Sequence, residues 1–235
     1  MESVSSEMQD YLKTIYQLER QPGGASTNAI AEARGVRPAS VSGMLKKLAG
    51  RKLVRHTPYQ GARLTGRGEK IALEVMRHHR LLEAFLIEAL GYTWDEVHIE
   101  ADRLEHVISE DFEDRLAARL GHPRLDPHGD PIPDKDGRLP AEVPTRLSDL
   151  ALGEAARIAR VHDGDPALLR HAAALGLVPA AEVTLLRTDP FGGSLRVRIG
   201  GRERSVGPDL AHQVFVTPVA PRSVSRRRMK EPVGA

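Results

Sequence analysis

Six residues of metal-binding type recur at helical spacing in the middle of this chain. They are His79, Glu83, His98, Asp102, Glu105 and His106. Offsets of three, four and seven place side chains on one face of an α-helix, so two helical segments each present imidazole and carboxylate groups. A chain without cysteine needs such nitrogen and oxygen donors to bind a transition metal. The spacing indicates a metal site, although an acidic solvated face with incidental histidines gives a similar pattern.

The second of these segments has the pattern of an amphipathic helix. Thr93 and Glu96 stand at the spacing of a capping box. An apolar stripe runs beside the ligands and consists of Val97, Ala101, Leu104 and Ile108. A solvated face more often includes Lys or Arg for i,i+4 pairing, and only Arg103 falls between His98 and His106. We therefore expect the ligands at the edge of a packed seam.

Composition excludes several classes of protein. Of the 235 residues 40% are hydrophobic, and no apolar run approaches the ~20 residues that span a membrane. This predicts a soluble protein of more than one domain with no membrane partner. The absence of cysteine excludes a disulfide framework and fits the reducing cytoplasm, where we expect the protein to reside.

Charge is distributed unevenly along the chain. Residues 1–70 contain 12 Lys/Arg and 6 Asp/Glu, residues 71–140 contain 8 and 16, and residues 141–235 contain 14 and 10. A basic first part suits phosphate groups, whereas an acidic middle suits a cation.

The basic part predicts a helix-turn-helix. Apolar periodicity indicates a first helix from Met8 to Leu18. Ser26 or Thr27 then caps a short helix, Gly35 provides a turn, and Pro38–Ala49 forms the next helix with proline in its first turn. Helix, glycine-containing turn and helix at this spacing are typical of the motif.

A β-hairpin is predicted directly afterwards, over residues 52–65, as the wing of a winged helix. Three-helix units also occur as protein-binding modules. Outward-facing basic and hydroxyl groups favour DNA instead, because they suit phosphates and base edges. These residues are Arg37, Ser40, Lys46, Lys47, Arg51, Arg55 and Arg63.

Further helices and a small sheet are predicted beyond the wing. Helices are expected at Glu69–Leu90 and Glu110–Leu120, and residues 121–144, rich in Pro, Gly and Asp, predict an extended linker. A helix at Ala167–Leu175 precedes four short strands, which indicate a small SH3-like β-barrel. The predicted strands are Val183–Leu186, Leu195–Ile199, Glu203–Val206 and Gln213–Val216. The tail, Arg222–Ala235, is expected to be disordered and basic.

This order of segments resembles the diphtheria-toxin-repressor family of metal-dependent regulators. The matching stretches are Met8–Tyr16, Pro38–Ser42, Arg77–Glu83, Glu105–Val107 and Asp126–Pro133. The last of them is similar to a family signature that usually begins with Cys. The resemblance covers about residues 4–219. It implies a homodimer in which each protomer places the Pro38–Ala49 helix in the major groove of double-stranded operator DNA when divalent metal is bound.

The fold that follows from pattern and resemblance is mainly α, with five segments. They are a winged-helix DNA-binding domain (1–70), a helical metal-binding and dimerisation domain (71–120), a Pro/Gly-rich linker (121–144), an SH3-like β-barrel (145–220) and a basic disordered tail (221–235).

The resemblance also implies two metal sites. The regulatory site would consist of Asp10, Asp102, Glu105 and His106. The accessory site would consist of His79, Glu83 and His98, with Asp165 of the barrel as a further ligand. Since Asp10 belongs to the DNA-binding domain and the other regulatory ligands belong to the dimerisation domain, an ion there would favour one hinge state.

The donor types bear on the choice of metal. Iron-type members have Met where this chain has Asp10 and Cys where it has Asp102, so its carboxylates resemble the manganese-responsive branch and imply Mn2+ as the effector. Fe2+ stays open, since it also accepts imidazole and carboxylate. That branch often has a carboxylate where this chain has Lys13, which favours separate regulatory and accessory sites over a two-metal cluster.

On DNA, the beginning of the Pro38–Ala49 helix is expected to contact bases through Arg37, Ala39 and Ser40. Phosphates would be held by Lys47, Arg51 and Arg63.

The function implied is a non-enzymatic regulator of metal homeostasis, most simply a repressor of manganese uptake, although an iron-responsive repressor or an activator fits the same residues. Two other classes stay open at this point. A metallohydrolase would need an open coordination position, and the chain has no His-Glu-x-x-His motif. A winged-helix regulator could instead answer an organic effector, with the ligand residues merely structural.

Overall fold

The computed structural model of the chain describes residues 4–57, 61–140, 145–190 and 192–219. The predicted tail and part of the predicted hairpin turn lie outside these residues. Three separate hydrophobic cores follow one another along the chain and correspond to a winged helix, a helical domain and a carboxy-terminal sheet domain.

The amino-terminal domain is the predicted winged helix. Its elements are α1 (Ser6–Glu19), α2 (Thr27–Arg34), α3 (Pro38–Gly50), β1 (Val54–Thr57) and β2 (Gly61–Leu64).

Local capping and burial explain how these elements form. The Ser26 hydroxyl accepts a hydrogen bond from the Ala29 N–H at 3.1 Å, so Ser26 rather than Thr27 caps α2. Gly35 ends α2 with φ of 62°, a backbone conformation that favours glycine. Leu12 of α1 and Leu45 of α3 are fully buried in the shared core. This packing leaves the opposite face of α3 exposed to solvent.

Three helices form the second domain: α4 (Gly66–Leu90), α5 (Val97–Leu104) and α6 (Glu110–Arg119). The predicted capping box is absent from α5. Glu96 stands at the N-cap without a side-chain cap bond, and the Thr93 hydroxyl donates to the Glu96 carboxylate at 2.6 Å instead. A backbone turn in which the Glu96 N–H donates to the Thr93 carbonyl at 3.2 Å delays the helix to Val97.

Residues 124–134, predicted as part of an extended linker, are packed into the helical domain. Asp126, His128 and Asp130 are buried, and Ile132 belongs to the helical core. One carboxylate oxygen of Asp126 accepts the N–H groups of His128 and Asp130 at 2.8 and 2.9 Å, which folds the chain into a tight polar turn. The prediction of an extended linker is therefore wrong for residues 124–134. A buried polar turn has no periodic pattern of hydrophobic residues from which its burial could be predicted.

The third domain is built on a six-stranded antiparallel sheet in the order β3-β8-β4-β5-β6-β7. Its strands and helices are β3 (Thr145–Arg146), β4 (Ala155–Val161), α7 (Pro166–Leu175), β5 (Glu182–Thr188), β6 (Leu195–Ile199), β7 (Arg202–Val206), α8 (Pro208–Gln213) and β8 (Val214–Pro218). No ladder joins β3 to β7 within the residues described, so the sheet is open and the predicted closure into a barrel is not confirmed.

The segment at 124–134 also contacts the sheet domain closely. The carbonyl of His128 accepts the N–H of Val161 at 2.9 Å. Gly129 beside it has φ of +92°, and a Cβ atom there would lie 1.9 Å from the carbonyl oxygen of Ala159. Only glycine allows this approach without displacing β4.

Gly129→Ala is therefore expected to lower the melting temperature of the full chain more than Gly153→Ala does. Gly153 has φ of +79° but no atom within 4 Å of its added Cβ. Both changes introduce backbone strain of about 1–3 kcal/mol, and only the first adds a backbone clash. Thermal unfolding of both variants measures the difference, and an equal decrease in both would contradict the close approach.

Candidate metal centre

The second domain positions the predicted ligands on two helices that face each other. His79 and Glu83 lie one turn apart on the buried side of α4. His98 and Asp102 lie one turn apart on α5, and Glu105 is the C-cap of that helix. The predicted helical spacing thus brings these side chains together, although α5 ends before Glu105 and His106.

The accessory cluster consists of His79, Glu83, His98 and Asp163, and one ligand atom from each lies within 4.8 Å of the others. His79 Nε2 is 2.9 Å from Glu83 Oε1 and 3.0 Å from His98 Nδ1. Asp163 Oδ2 of the sheet domain lies 3.5 Å from His98 Nδ1. Imidazole nitrogens with two carboxylates fit a first-row divalent ion.

Asp163 takes the place in this cluster that the sequence assigned to Asp165. The Asp165 side chain instead accepts a hydrogen bond from the Ala167 N–H at 2.8 Å and caps α7. An Asp directly before Pro166 is a helix-start signal, since proline favours the first turn. That signal in the sequence would have assigned Asp165 to the cap and left Asp163 as the candidate ligand.

The residues predicted to form the regulatory site, called the regulatory cluster from this point, are Asp10, Asp102, Glu105 and His106. Asp10, Glu105 and His106 offer ligand atoms within 4.8 Å of one another, while Asp102 forms such a group with His79 and Glu105. Asp10 Oδ1 lies 2.9 Å from His106 Nε2. This contact joins α1 of the DNA-binding domain to the chain just after α5.

Two contacts that the sequence did not reveal hold these ligands. Arg34 of α2 donates to Asp10 Oδ2 at 2.9 Å, and His106 Nδ1 lies 2.7 Å from the Gln9 side-chain oxygen. Both partners belong to the DNA-binding domain, so the regulatory cluster lies directly on the boundary between the two domains.

The two clusters share His79. Its Nδ1 lies 2.6 Å from Glu105 Oε2, whereas its Nε2 faces Glu83 and His98. An imidazole that binds metal through one nitrogen commonly donates its other N–H to a carboxylate. His79 can therefore serve the accessory cluster while it orients Glu105 in the regulatory cluster.

The electrostatics of the centre are dominated by these carboxylates. Burial disfavours the charged form of His79, but Glu83, Asp102 and Glu105 outweigh it and raise the His79 pKa well above its usual value. Burial likewise opposes the charge on Glu83, yet His79 and the neighbouring histidines hold the Glu83 pKa well below its usual value. The cluster thus attracts positive charge strongly, as a cation site must.

Lys13 enters the regulatory cluster from α1. Its Nζ lies 2.7 and 2.9 Å from the two carboxylate oxygens of Glu105 and 3.0 Å from Asp102 Oδ1. Burial opposes its charge, but Glu105 and Asp102 raise its pKa above the usual value. The sequence identified Lys13 only as a missing carboxylate.

A third group lies behind the accessory cluster. Glu83, Asp126 and His128 are buried and offer ligand atoms within 4.8 Å of one another. Glu83 Oε2, Asp126 Oδ2 and His128 Nδ1 have no hydrogen-bond partner among the described residues. Trp94 stacks on the His128 ring with centroids 5.3 Å apart. The sequence did not predict this group, because Asp126 and His128 lie in the segment that was expected to be an extended linker.

The turn that holds Glu105 is fixed by buried partners on α4 and α6. His78 Nδ1 lies 2.9 Å from the Glu105 carbonyl oxygen, and His78 Nε2 lies 3.0 Å from Glu113 Oε2. Burial opposes the charge on Glu113, but His78 and Arg77 lower the Glu113 pKa to about 2. An acidic side chain on α6 thereby positions the end of α5.

The predicted DNA-contacting residues lie on α3, at its two caps and on the wing. All of them are exposed except Arg51, the C-cap of α3, which is half-buried. They are Arg37, Ala39, Ser40, Lys47, Arg51 and Arg63. The structure leaves the first turns of α3 free to enter a groove.

Comparison with known proteins assigns the domains. Residues 3–62 match the iron-dependent repressor amino-terminal DNA-binding domain, residues 65–134 match its metal-binding and dimerisation domain, and residues 145–218 match the FeoA domain. The iron-dependent repressor IdeR of Mycobacterium tuberculosis is 35% identical over 223 residues, covering 89% of this chain and 96% of the relative. The chain belongs to the diphtheria-toxin-repressor family.

Other members support the same assignment. The diphtheria toxin repressor of Corynebacterium diphtheriae is 30% identical over 216 residues, covering 88% of this chain and 94% of the relative. A manganese-dependent transcriptional repressor in complex with manganese has a TM-score of 0.84 and 38% identity, covering 90% of this chain and 100% of that one.

Membership in the diphtheria-toxin-repressor family decides between the classes that the sequence left open. The chain is a metal-dependent transcriptional repressor with an amino-terminal DNA-binding domain and a second domain for metal binding and dimerisation. The metallohydrolase alternative is excluded, because these relatives are repressors and not enzymes. Among the described residues, no helix has both the length and the apolar character needed to cross a membrane.

Proposed function

We propose that this chain is a Mn2+-responsive repressor that binds operator DNA as a homodimer and represses manganese uptake in the cytoplasm. The observation that supports the choice of ion most directly is the donor set. Asp10 provides a carboxylate in the group that it forms with Glu105 and His106, and Asp102 provides one in the group that it forms with Glu105 and His79. Two carboxylates with one imidazole in each group suit Mn2+, whereas soft sulfur donors would shift preference toward later metals.

The mechanism follows from the position of the cluster between two domains. Asp10 on α1 and His106 after α5 would hold the ion together with Glu105, while Asp102 faces the same carboxylate from α5. When bound, the ion supplies the positive charge that lets these carboxylates approach one another. Asp10 then keeps α1 against the second domain, and α1 in turn positions α3 through their shared core.

The expected consequence is a shift in the population of domain arrangements. Ligands stabilise one arrangement only to the extent that they bind it better than the others. The Asp10 carboxylate can join Glu105 and His106 only when α1 lies against the residues that follow α5, so this arrangement is the one that the ion would favour. A fixed arrangement of the two α3 helices in the dimer would match two half-sites of an operator.

The main alternative is an Fe2+-responsive repressor of iron uptake. The relatives named iron-dependent repressors favour it, and Fe2+ accepts the same imidazole and carboxylate donors. A regulator that answers an organic effector is disfavoured by the match of residues 65–134 to a metal-binding domain.

Operator binding titrated with each ion distinguishes these functions. DNA containing the protein's own upstream region and those of metal-transporter genes is titrated with Mn2+, Fe2+ and Zn2+, with a chelator as control. Stimulation by Mn2+ at the lowest free concentration supports the proposal. Preference for Fe2+ would support the alternative, and DNA binding indifferent to every ion would contradict both.

Asp10→Met combined with Asp102→Cys is expected to move the ion preference from Mn2+ toward Fe2+ or Co2+. The double variant replaces two hard carboxylate donors by soft sulfur donors. Ion-resolved DNA binding measures the order of effectiveness, with Asp111→Asn, a change at an exposed α6 carboxylate paired with Arg115, as the charge control. An unchanged order in the double variant would show that selectivity is determined elsewhere.

A further inference from the structure

The Lys13 ammonium lies between two carboxylates of the regulatory cluster, those of Glu105 and Asp102. It contacts both oxygens of Glu105, a side chain that is fully buried, and one oxygen of Asp102. The Lys13 side chain itself is 14% exposed, so it reaches the cluster from the solvent edge. The contacts span two domains, since Lys13 lies on α1 and both carboxylates lie on or directly after α5.

These contacts are of the kind that a bound cation would make. The Glu105 carboxylate is the donor common to the Asp10–His106 group and to the His79–Asp102 group. A charge-assisted bond at 2.7 Å occupies the same oxygen lone pairs that an ion would use. Two cations on one carboxylate also repel each other. Lys13 and a divalent ion therefore compete for Glu105.

We propose that Lys13 is an internal cation that holds the DNA-binding domain against the second domain in the absence of metal, and that a divalent ion binds at the regulatory cluster by displacing it. This deepens the proposed function and rests on it for the meaning of the cluster. Lys13 thus determines the concentration of ion at which the repressor responds.

Two consequences of opposite sign follow. Removing the ammonium abolishes an interdomain contact, so the metal-free protein becomes less stable and its residual affinity for DNA decreases. Removing it also eliminates the competitor, so the ion binds more tightly. A purely structural lysine would give only the first effect, because a loosened cluster would bind the ion less well or equally.

The test compares the full-length wild type with Lys13→Met and, in case this apolar substitution perturbs folding, with Lys13→Gln. Lys135→Met is the control, since Lys135 pairs with Asp114 of α6, outside both clusters. Mn2+ binding is followed by the electron paramagnetic resonance signal of the free ion. Melting temperature and DNA affinity are measured with chelator present.

Both Lys13 variants are expected to bind Mn2+ at the regulatory cluster at least about 5-fold more tightly than wild type, within the usual range of coupling between ligands. Their melting temperatures in chelator should fall by a few degrees, and their metal-free DNA affinity should fall. Lys135→Met should change none of these. Unchanged or weaker Mn2+ binding in both variants would overturn the proposal.

The fluorescence of Trp94 distinguishes ion binding at the accessory cluster from ion binding at the regulatory cluster in the same experiment. Trp94 is the single tryptophan of the chain and stacks on His128, whose Nδ1 lies 3.7 Å from Glu83 Oε2. Its fluorescence therefore reports occupation of the accessory side, which the Lys13 variants should leave unaltered. Tightening seen only in that signal would also overturn the proposal. If the wild type shows no Mn2+-dependent DNA binding, the proposed Mn2+-responsive function fails, whereas competition by Lys13 is still decided by the binding data.

Discussion

Glu105→Gln is expected to abolish metal-stimulated DNA binding while the dimer stays intact. The Glu105 carboxylate faces His79, Lys13 and the Asp10–His106 pair, so every part of the regulatory cluster depends on its charge. Coupling between an effector and its target site typically changes affinity by about 5–150-fold, and the variant should lose that whole factor. DNA affinity measured with saturating Mn2+ and with chelator should become equal.

Glutamine is the sharper substitution at this position because Glu105 is fully buried. The amphipathic pattern of the sequence predicted the ligands at the edge of a packed seam, which holds for the exposed Asp102 but not for Glu105. An alanine there would leave the Lys13 ammonium and the His79 ring facing a cavity, and loss of folding would obscure the result. The isosteric amide removes the charge and keeps the volume.

Glu100→Gln provides the control for this experiment. Glu100 lies on α5, the helix that Glu105 caps, and pairs with Arg103 outside both clusters. His106→Ala is a second variant of the regulatory cluster that leaves Glu105 in place. Mn2+-dependent operator binding retained in both Glu105→Gln and His106→Ala would exclude this cluster as the regulatory site.

The sequence predicted most of the candidate site because helical spacing is a local property. Residues four apart lie on one helix face wherever the helix packs. His79 with Glu83 and His98 with Asp102 therefore needed only two helices to be recognised. The winged helix was predictable for the same reason, from the proline that opens α3 and the glycine that ends α2.

Contacts that depend on distant parts of the chain were not predictable from spacing. Asp163 reaches His98 only because the sheet domain contacts the residues just before α5, where Trp94 packs on the sheet core and Arg170 pairs with Asp95. No repeat in the sequence relates positions 98 and 163. Strand β4 was missed because its inward residues alternate with alanine and arginine, which are weak strand formers or polar. Residues 126–130 bury carboxylates in a turn that composition alone assigns to a linker.

Lys13 shows how one residue type can mean two things. In the sequence it argued against a second metal ion beside Asp10. In the structure its ammonium stands between two carboxylates of the regulatory cluster and so contributes a positive charge there. Sequence spacing predicts the helix face from which a side chain projects. The length and conformation of that side chain determine which groups its charge contacts.

Substitutions on the winged helix are expected to separate affinity for DNA from sequence preference. Lys47→Ala and Arg63→Ala should weaken binding to all sequences about equally. The salt dependence of binding should become shallower by about one unit of slope for each phosphate that a dimer half no longer binds. Arg37→Ala and Ser40→Ala should instead change which operator sequences are preferred.

The distinction rests on position in the structure. Arg37 and Ser40 are exposed where α3 begins, and amino-terminal turns of a recognition helix meet base edges in the major groove. Lys47 is exposed near the other end of α3. Arg63 is exposed on β2 of the wing, opposite Arg55 on β1. Charges at these positions are expected to contact the phosphate backbone, which is the same in every sequence.

Binding of each variant to a randomised operator library and to one fixed operator over a range of salt concentrations measures both properties. Lys70→Ala is a suitable control, because Lys70 is exposed on α4, outside α3 and the wing. An altered sequence preference in Arg63→Ala, with only lower affinity in Arg37→Ala and Ser40→Ala, would show that the wing and not α3 enters the major groove. The winged helix of each protomer would then bind the operator in a different orientation, and the regulatory cluster would act by moving the wing.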